Sequence, residues 1–366
     1  METKMKNMVL VCVTGAFLLG FFLWSLLKPP EEISLSERRP LAAFPQLTGE
    51  SVLSGEFMTS FESYTLDQFP LRDTFRGIKA VTARYLLGQR DNNGVYMEDG
   101  YLSKLDYPLN TDSVDYALGR FRYVYDRYLG DKDMDIYISV IPDKNYFMAE
   151  ANGYPSMDYE ALFTRIEEGA DFAECIDITP FLELSDYYRT DTHWRQENIL
   201  DVARQLAGAM DVTLTSDYTK MKTDGPFYGV YYGQAALPVS GEDLYYLNND
   251  ILEQCRVYDY ETDAYLPVYD LEKAEGQDPY ELFLSGPKSI QVIENPQGSR
   301  SRELILFRDS FGSSIAPLLA EGYGKITLVD IRYISPAMLG QFITFENQDV
   351  LFLYSVSVLN DSVTIK

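Results

Sequence analysis

The sequence predicts an α/β protein with a mostly parallel sheet covered by helices on both faces, held at a membrane by one N-terminal helix. Three observations carry that expectation. An uncharged run of twenty residues lies close to the N-terminus, from Met8 to Leu27. Strand-like and helix-like segments alternate from Ile136 onward and again from Leu304. Polar residues able to do chemistry stand where two of those segments change type, at 189–194 and 308–312. Alternating strands and helices imply a parallel sheet with both faces covered, and ligands in such sheets sit beyond the carboxyl ends of the strands.

The first element is the apolar run. About 20 apolar residues cross a hydrocarbon core of roughly 30 Å as a helix. Lys4 and Lys6 precede the run, Trp24 and Lys28 suit an interfacial anchor, and Pro29-Pro30 ends the helix. A cleaved signal peptide is the rival reading. However, no small-x-small cleavage site follows, and the run exceeds the usual apolar core of about 7–15 residues. Residues 1–7 are therefore read as a cytoplasmic end, 8–27 as a transmembrane signal anchor, and the rest as lying on the far side of the membrane.

Residues 28–90 read as a Pro-rich, charged stalk followed by helices. Phe57, Phe61, Tyr64 and Phe69 recur at near-helical spacing, and Phe75, Ile78, Val81, Ala83 and Leu86 do so after Pro70. Asn92-Asn93-Gly94 signals a turn, and 95–102 a hairpin around Glu98-Asp99-Gly100. Residues 112–129 form an amphipathic helix. The βα rhythm follows: a strand at 136–141, a helix at 158–168, a strand-like piece at 171–178 and a helix at 195–210 with Ile199, Val202, Ala203, Leu206 and Met210 on one face. Residues 212–300 break the rhythm and read as a β-rich insertion or a set of loops. A strand at 304–307, a helix at 313–321 and strands at 326–330 and 350–354 complete the domain, 91–366.

Composition excludes several functions. Lys and Arg number 31 against 56 Asp and Glu, giving a net charge of −25 that looks spread along the chain and argues against nucleic acid or an anionic membrane surface as partner. With one histidine and, outside the apolar run, only Cys175 and Cys255, a structural zinc site lacks ligands, and no metal or other cofactor is expected. The two cysteines are free to pair in an oxidising compartment, but their spacing does not decide it.

His193 is the only histidine in the chain, within Arg189-Thr190-Asp191-Thr192-His193-Trp194. Histidine is the side chain whose unperturbed pKa, about 6.5, suits base chemistry near neutral pH. Asp191 is placed to fix its tautomer and stabilise the imidazolium, and a helix beginning at 195 would hold the ring neutral through its dipole. Ser310 follows a strand directly and precedes a helix, the setting of a nucleophile elbow, with first-turn amides pointing at its target. Both segments also read as helix caps, through Asp191 or Thr192 in one and Asp309, Ser310, Ser313 or Ser314 in the other. Candidates for oxyanion or substrate contacts are Asn145 and Lys144 at the end of the 136–141 strand, Asp309, Trp194, and Tyr232 in FYGVYYG, a stretch that suits core packing better than stacking on a sugar. Lys144 reads equally well as a surface charge. Asp330 and Arg332 read as a structural ion pair.

Asp191-Thr192-His193-Trp194 resembles the Asp-x-His-Trp signature of the DHHW family, which is similar to the SGNH-hydrolase-like domains of alginate O-acetyltransferases. SERRPLAAFP (36–45), LDQFPLRDTF (66–75), NNGVYMEDGYL (92–102), IPDKN (141–145), FYGVYYG (227–233), FRDSFGSSIAPLL (307–319), ITLVDIRY (326–333) and LFLYSVSVLN (351–360) look like family blocks in family order. The resemblance implies a three-layer SGNH-like α/β fold, with Ser310 as nucleophile, His193 as base and Asp191 as orienting acid. The Asp-x-His block precedes the serine block here, an order that resembles the alginate-acetyltransferase group and not ordinary SGNH hydrolases. In FLSGPKS (283–289) Pro287 follows Gly286 where the family often has Asn, so Asn145 is the preferred side-chain oxyanion donor. The implied activity is O-acyl transfer, O-acetyl in particular, to a cell-envelope polysaccharide, or ester hydrolysis on one, with a multi-spanning membrane O-acyltransferase as acyl donor. A non-catalytic glycan-binding or scaffold protein of the same fold is the alternative.

Overall fold

The computed structural model describes residues 2–298 and 302–366; Met1 and Ser299, Arg300 and Ser301, which include the end of the expected 212–300 insertion, lie outside the described residues. The chain divides into two compact units, 1–93 with 232–238, and 94–231 with 239–366.

The smaller unit starts with helix α1 (Glu2–Leu27), long and apolar enough to cross a membrane. Ile33–Ser34 and Arg39–Pro40 pair antiparallel beyond it. Helix α2 (Gly49–Ser54) is closed by a capping box between Thr48 and Ser51, and Gly55, at φ 82°, turns the chain into α3 (Glu56–Asp67). Pro70 has no amide proton for a continuing helix, so the periodic stretch breaks there and resumes as α4 (Arg72–Val81), whose last turn widens over Thr82–Leu86. Glu37 takes Arg72 at 2.6 Å and Arg76 at 3.0 Å. Arg39 grips Asp67 through both guanidinium nitrogens, at 2.9 and 2.6 Å, and holds that carboxyl down to about 2.

The larger unit is built on an eight-stranded sheet: β1 (Ile136–Ile141), β2 (Glu174–Cys175), β3 (Arg256–Asp259), β4 (Ala264–Leu266), β5 (Ile290–Glu294), β6 (Glu303–Arg308), β7 (Lys325–Val329) and β8 (Asp349–Ser355), in spatial order β4-β3-β5-β7-β6-β8-β1-β2. Strands β7, β6, β8, β1 and β2 run parallel. The stretch 212–300 is less separate than expected: its strands β3, β4 and β5 extend this same sheet antiparallel from the β7 edge. They are short and follow no helical crossover, so no βα period marked them. A second pair, Thr219–Lys222 with Tyr245–Asn248, stands apart from the sheet. The hairpin Val95–Glu98 and Tyr101–Lys104 turns through Asp99 and Gly100, both at positive φ, as the Glu-Asp-Gly signal implied.

Period-two burial on the central strands makes the three layers. Leu304, Leu306, Leu351 and Leu353 face one way, onto the Leu200–Ala209 and Gly312–Leu319 helices. Ile305, Phe307, Val350 and Phe352 face the other way, onto α5 (Thr111–Val124) and α6 (Tyr159–Gly169). Each fully buried aliphatic or aromatic chain of this kind is worth about 1.5–3 kcal/mol. These two cores fix the height of the β6 and β8 carboxyl ends, where the site lies.

Candidate active site

Asp191 and His193 belong to a tight loop, not to a helix start. Tyr187 bridges Trp194, and the Tyr188 amide donates to the His193 carbonyl at 3.0 Å, closing the loop under both residues. The helix expected from 195 begins only at Leu200, after a 3₁₀ turn at Gln196–Asn198. Gln196 explains the delay: its buried amide donates to the Ser314 carbonyl at 2.7 Å and accepts the Leu247 amide at 2.7 Å. His193 therefore stands a full seven residues before that α-helix, too far for the helix's dipole to act on the ring.

The carboxylate instead fixes the ring's tautomer and orientation. His193 Nδ1 donates to Asp191 Oδ1 at 2.6 Å, and that oxygen also accepts the His193 amide at 3.1 Å. Asp191 Oδ2 accepts the Val230 amide at 2.8 Å. With its proton on Nδ1, an assignment made from this network, the imidazole turns a lone pair on Nε2 toward Ser310 Oγ, 2.8 Å away. Asp191 is 1% exposed and His193 9%, while Ser310 is half-buried and approachable. The loop and the serine, 117 residues apart, thus meet in one line of three groups.

Ser310 does not cap its helix. The N-cap position of the Gly312–Leu319 helix is Phe311, with no side-chain cap. Asp309 does the anchoring: Oδ1 accepts the Phe311 amide at 3.0 Å, and Oδ2 accepts the Ser355 amide at 2.8 Å, pinning the elbow to the end of β8. Asp309 is fully buried, so it is a support and not a substrate contact. The Gly312 and Ser313 amides donate to the Asp309 and Ser310 carbonyls at 3.1 Å each. The first-turn amides expected to face a substrate are thus spent, and among the described residues the Ser310 amide has no hydrogen-bond partner.

Three further candidates take supporting places. Trp194 has no exposed surface; its indole donates to Ser314 Oγ at 2.8 Å and packs edge-on against Phe311, tying the histidine loop to the serine helix. Asn145 is buried and wholly engaged. Its Oδ1 accepts Tyr96 at 2.8 Å and Ser103 at 3.0 Å, and its Nδ2 donates to the Lys104 carbonyl at 2.5 Å and to Asp143 Oδ2 at 3.3 Å, so it has no donor left for an oxyanion. Lys144 is not a surface charge: it is 1% exposed and donates to the carbonyls of Leu102, Tyr188 (3.0 Å) and Arg189 (3.4 Å), under the histidine loop. Burial pushes its ammonium down to about 7, against the pull of Asp191 and Glu242. Tyr232 belongs to the smaller unit, where it lines a cavity of about 460 Å³ with Ser36, Arg76 and Ala236.

Sequence reasoning missed Tyr280, Glu242 and Gly229. Tyr280 lies flat on the imidazole, centroids 3.8 Å apart and planes 7° apart, and donates its hydroxyl to Ser314 Oγ at 2.8 Å. Glu242 is buried and accepts the Arg189 amide at 2.9 Å and both the amide and hydroxyl of Thr190 at 2.8 Å. Gly229 donates to Thr190 Oγ1 at 2.9 Å. In FYGVYYG the backbone does the positioning, and Phe227 and Tyr231 pack inside. Only the glycine spacing of that stretch hinted at a close backbone approach.

Asp330 and Arg332 form the expected structural pair, with two nitrogen–oxygen contacts of 2.9 and 2.7 Å. Cys175 and Cys255 are unpaired; Cys255 is buried, which pushes its thiol up to about 11. In FLSGPKS, Leu284, Ser285 and Gly286 all have left-handed backbone, and Ser285 Oγ donates to Asp270 at 2.9 Å. A separate cavity of about 630 Å³ at the β1–β2 edge, lined by Phe147, Phe163, Cys175 and Leu182, contains none of Asp191, His193 and Ser310.

By sequence the chain matches no family profile and no curated protein. By structure it is similar to a DHHW family protein from Eubacterium siraeum DSM 15702, with 20% identity, a TM-score of 0.59, and 75% of this chain and 95% of that one covered. It is also similar to PatB1 of Bacillus cereus, solved with a sulfonyl adduct, with 18% identity, a TM-score of 0.57, and 72% and 95% covered. The chain therefore has the SGNH-hydrolase-like three-layer α/β fold, and a DHHW family protein stands among the solved structures that share it.

Proposed function

We propose that this protein is a membrane-anchored, extracytoplasmic O-acyltransferase or esterase that acts on a cell-envelope polysaccharide through Ser310, His193 and Asp191. The observation that carries this reading is the pair of short hydrogen bonds, Ser310 Oγ to His193 Nε2 at 2.8 Å and His193 Nδ1 to Asp191 Oδ1 at 2.6 Å. A serine beside a base that is itself oriented by a carboxylate is an arrangement suited to acyl transfer. The N-terminal helix supports the anchored placement by its length and composition.

In this reading the Ser310 hydroxyl attacks an ester carbonyl as its proton passes to His193 Nε2. Asp191 stabilises the imidazolium that forms. The Ser310 amide, without a hydrogen-bond partner among the described residues, stabilises the oxyanion; one such donor is worth about 2.7–4 kcal/mol. The imidazolium returns its proton to the leaving oxygen, which departs from an acyl-Ser310 intermediate. An incoming hydroxyl then gives its proton to His193 and takes the acyl group, and the imidazolium returns that proton to Ser310 Oγ as it leaves. A sugar hydroxyl makes the protein a transferase, and water makes it an esterase. A multi-spanning membrane O-acyltransferase is the proposed source of the acyl group.

The test is hydrolysis of an aryl acetate by the purified full chain in detergent, beside Ser310→Ala and His193→Ala. The reading predicts a fall of about 10³-fold or more in kcat for each variant. Equal turnover by all three proteins would overturn it and favour a non-catalytic glycan-holding protein of the same fold.

A further inference from the structure

We propose that α4 and the turn after it lie in the membrane surface, with an apolar stripe in contact with lipid, so that the small unit has an interfacial attachment in addition to α1. The inference rests on the reading that α1 remains in the membrane.

The argument begins with depth. The uncharged run Met8–Leu27 is twenty residues, which at about 1.5 Å per residue equals the roughly 30 Å hydrocarbon core with nothing to spare. Phe21, six residues or about 9 Å inside its outer end, is then within the apolar layer. Phe69 stacks on Phe21 at 5.6 Å with planes 4° apart, and Phe75 meets the same ring edge-on at 5.9 Å. Rings that pack on Phe21 sit at its depth. Phe69 stands just before α4 and Phe75 is in its first turns, so the contact carries the beginning of this helix to the edge of the hydrocarbon.

The stripe continues from there. Leu71, Phe75, Ile78, Tyr85 and Leu86 follow one another at spacings that keep them on one side of the helical stretch, with Ile78 56% and Leu86 79% exposed. The opposite side is occupied within the unit: Arg72 and Arg76 bind Glu37, and Ala80 and Ala83 are buried. A helix with one face satisfied and a bulky apolar face outward is the pattern of an interfacial helix.

Charge agrees. Residues 28–93 hold eight Lys and Arg against nine Asp and Glu, close to neutral, whereas 94–366 hold 21 against 46. The net charge of −25, expected to be spread along the chain, is carried by the residues beyond 93. The repulsion that keeps an acidic protein off an anionic surface does not apply to this unit.

The test is spin-label accessibility in the full chain reconstituted into phosphatidylcholine vesicles. Labels go on Ile78→Cys and Leu86→Cys, with Leu18→Cys in α1 as the lipid reference and Tyr265→Cys, exposed in the larger unit, as the water reference. Cys12→Ser and Cys175→Ala remove the exposed native thiols, and circular dichroism confirms that each variant is folded. The proposal predicts that labels at 78 and 86, like the label at 18, collide more with oxygen than with a water-soluble nickel chelate. Labels at 78 and 86 that behave as at 265, with 18 still in lipid, overturn the proposal and leave the anchor standing. Labels at 78 and 86 that meet neither reagent also overturn it, because protein and not lipid then covers the stripe. A water-like label at 18 removes the anchor reading and the proposal with it.

Discussion

A β-carbon placed on Gly229 would stand 2.2 Å from the Cβ of Asp191, so the backbone at 229 lies directly against the residue bonded to His193. The next amide, that of Val230, supplies the hydrogen bond to Asp191 Oδ2. Displacement of this segment therefore moves the carboxylate and, through it, the imidazole. Gly229→Ala is expected to lower kcat about 10- to 100-fold, the scale of an ångström-sized misplacement, and to cost about 1–3 kcal/mol of stability through overpacking. Aryl acetate kinetics and urea midpoints check both. Wild-type values for this variant would show that the segment yields freely.

Asp191→Asn keeps the size of the side chain and removes its charge. The imidazole then loses the partner that keeps its proton on Nδ1 and its lone pair toward Ser310. A fall in kcat of about 10⁴-fold is expected, by analogy with the same change in a serine protease, with KM little altered. A KM effect alone would place Asp191 in binding and not in base orientation.

Tyr280 separates stacking from hydrogen bonding. Its ring covers the His193 imidazole at 3.8 Å, while its hydroxyl serves Ser314 and not the histidine. Tyr280→Phe is expected to retain kcat within a few-fold and to lose about 1 kcal/mol of stability for the missing hydrogen bond. Tyr280→Ala removes the wall that holds the ring, and about a 10- to 100-fold loss in kcat is expected. Equal kcat for the two variants would mean that the stack does not orient the base.

Lys144 gives a pH signature. Burial lowers its pKa in the fold to about 7, against about 10.4 in the unfolded chain. Between those values the unfolded state binds one more proton, so this group makes stability rise with pH from about 7 to 10. Below pH 7 both states are protonated and the burial cost is carried in full. Lys144→Met lacks this contribution. The difference in unfolding free energy between wild type and variant, from urea titrations at pH 6, 8 and 10, is expected to shift in favour of wild type as pH rises. A constant difference would show that the ammonium keeps its proton, held by the three carbonyls.

The legible parts of the fold were those with a local signature. Ile136–Ile141 and Glu303–Arg308 are continuous apolar runs ended by polar turns, and both are central strands. Asp191, His193 and Ser310 were legible because each is a reactive residue type at a segment boundary, one of them the only histidine. Their supports were not. Glu242 and Tyr280 reach the loop from 49 and 87 residues beyond His193, and an isolated Glu or Tyr in a Tyr-rich stretch carries no mark of that contact. The helix starts at Leu200 and not at 195: apolar periodicity records burial and not the hydrogen bonds that Gln196 makes with Leu247 and Ser314. Asn145 looked like a donor because its position at a strand end was visible, while Tyr96, Ser103 and Lys104, which occupy it, come from a hairpin some forty residues earlier.

The central claim is that Ser310 is a nucleophile activated by His193, and sulfonylation tests it most directly. PatB1, which shares the fold, was solved with a sulfonyl adduct. The purified full chain treated with an arylsulfonyl fluoride, followed by intact-mass and peptide mass spectrometry, is predicted to gain one sulfonyl group on Ser310. Ser310→Ala is predicted to gain none, and His193→Ala to react far more slowly. Labelling that spares Ser310, or that proceeds at the wild-type rate without His193, would contradict the account.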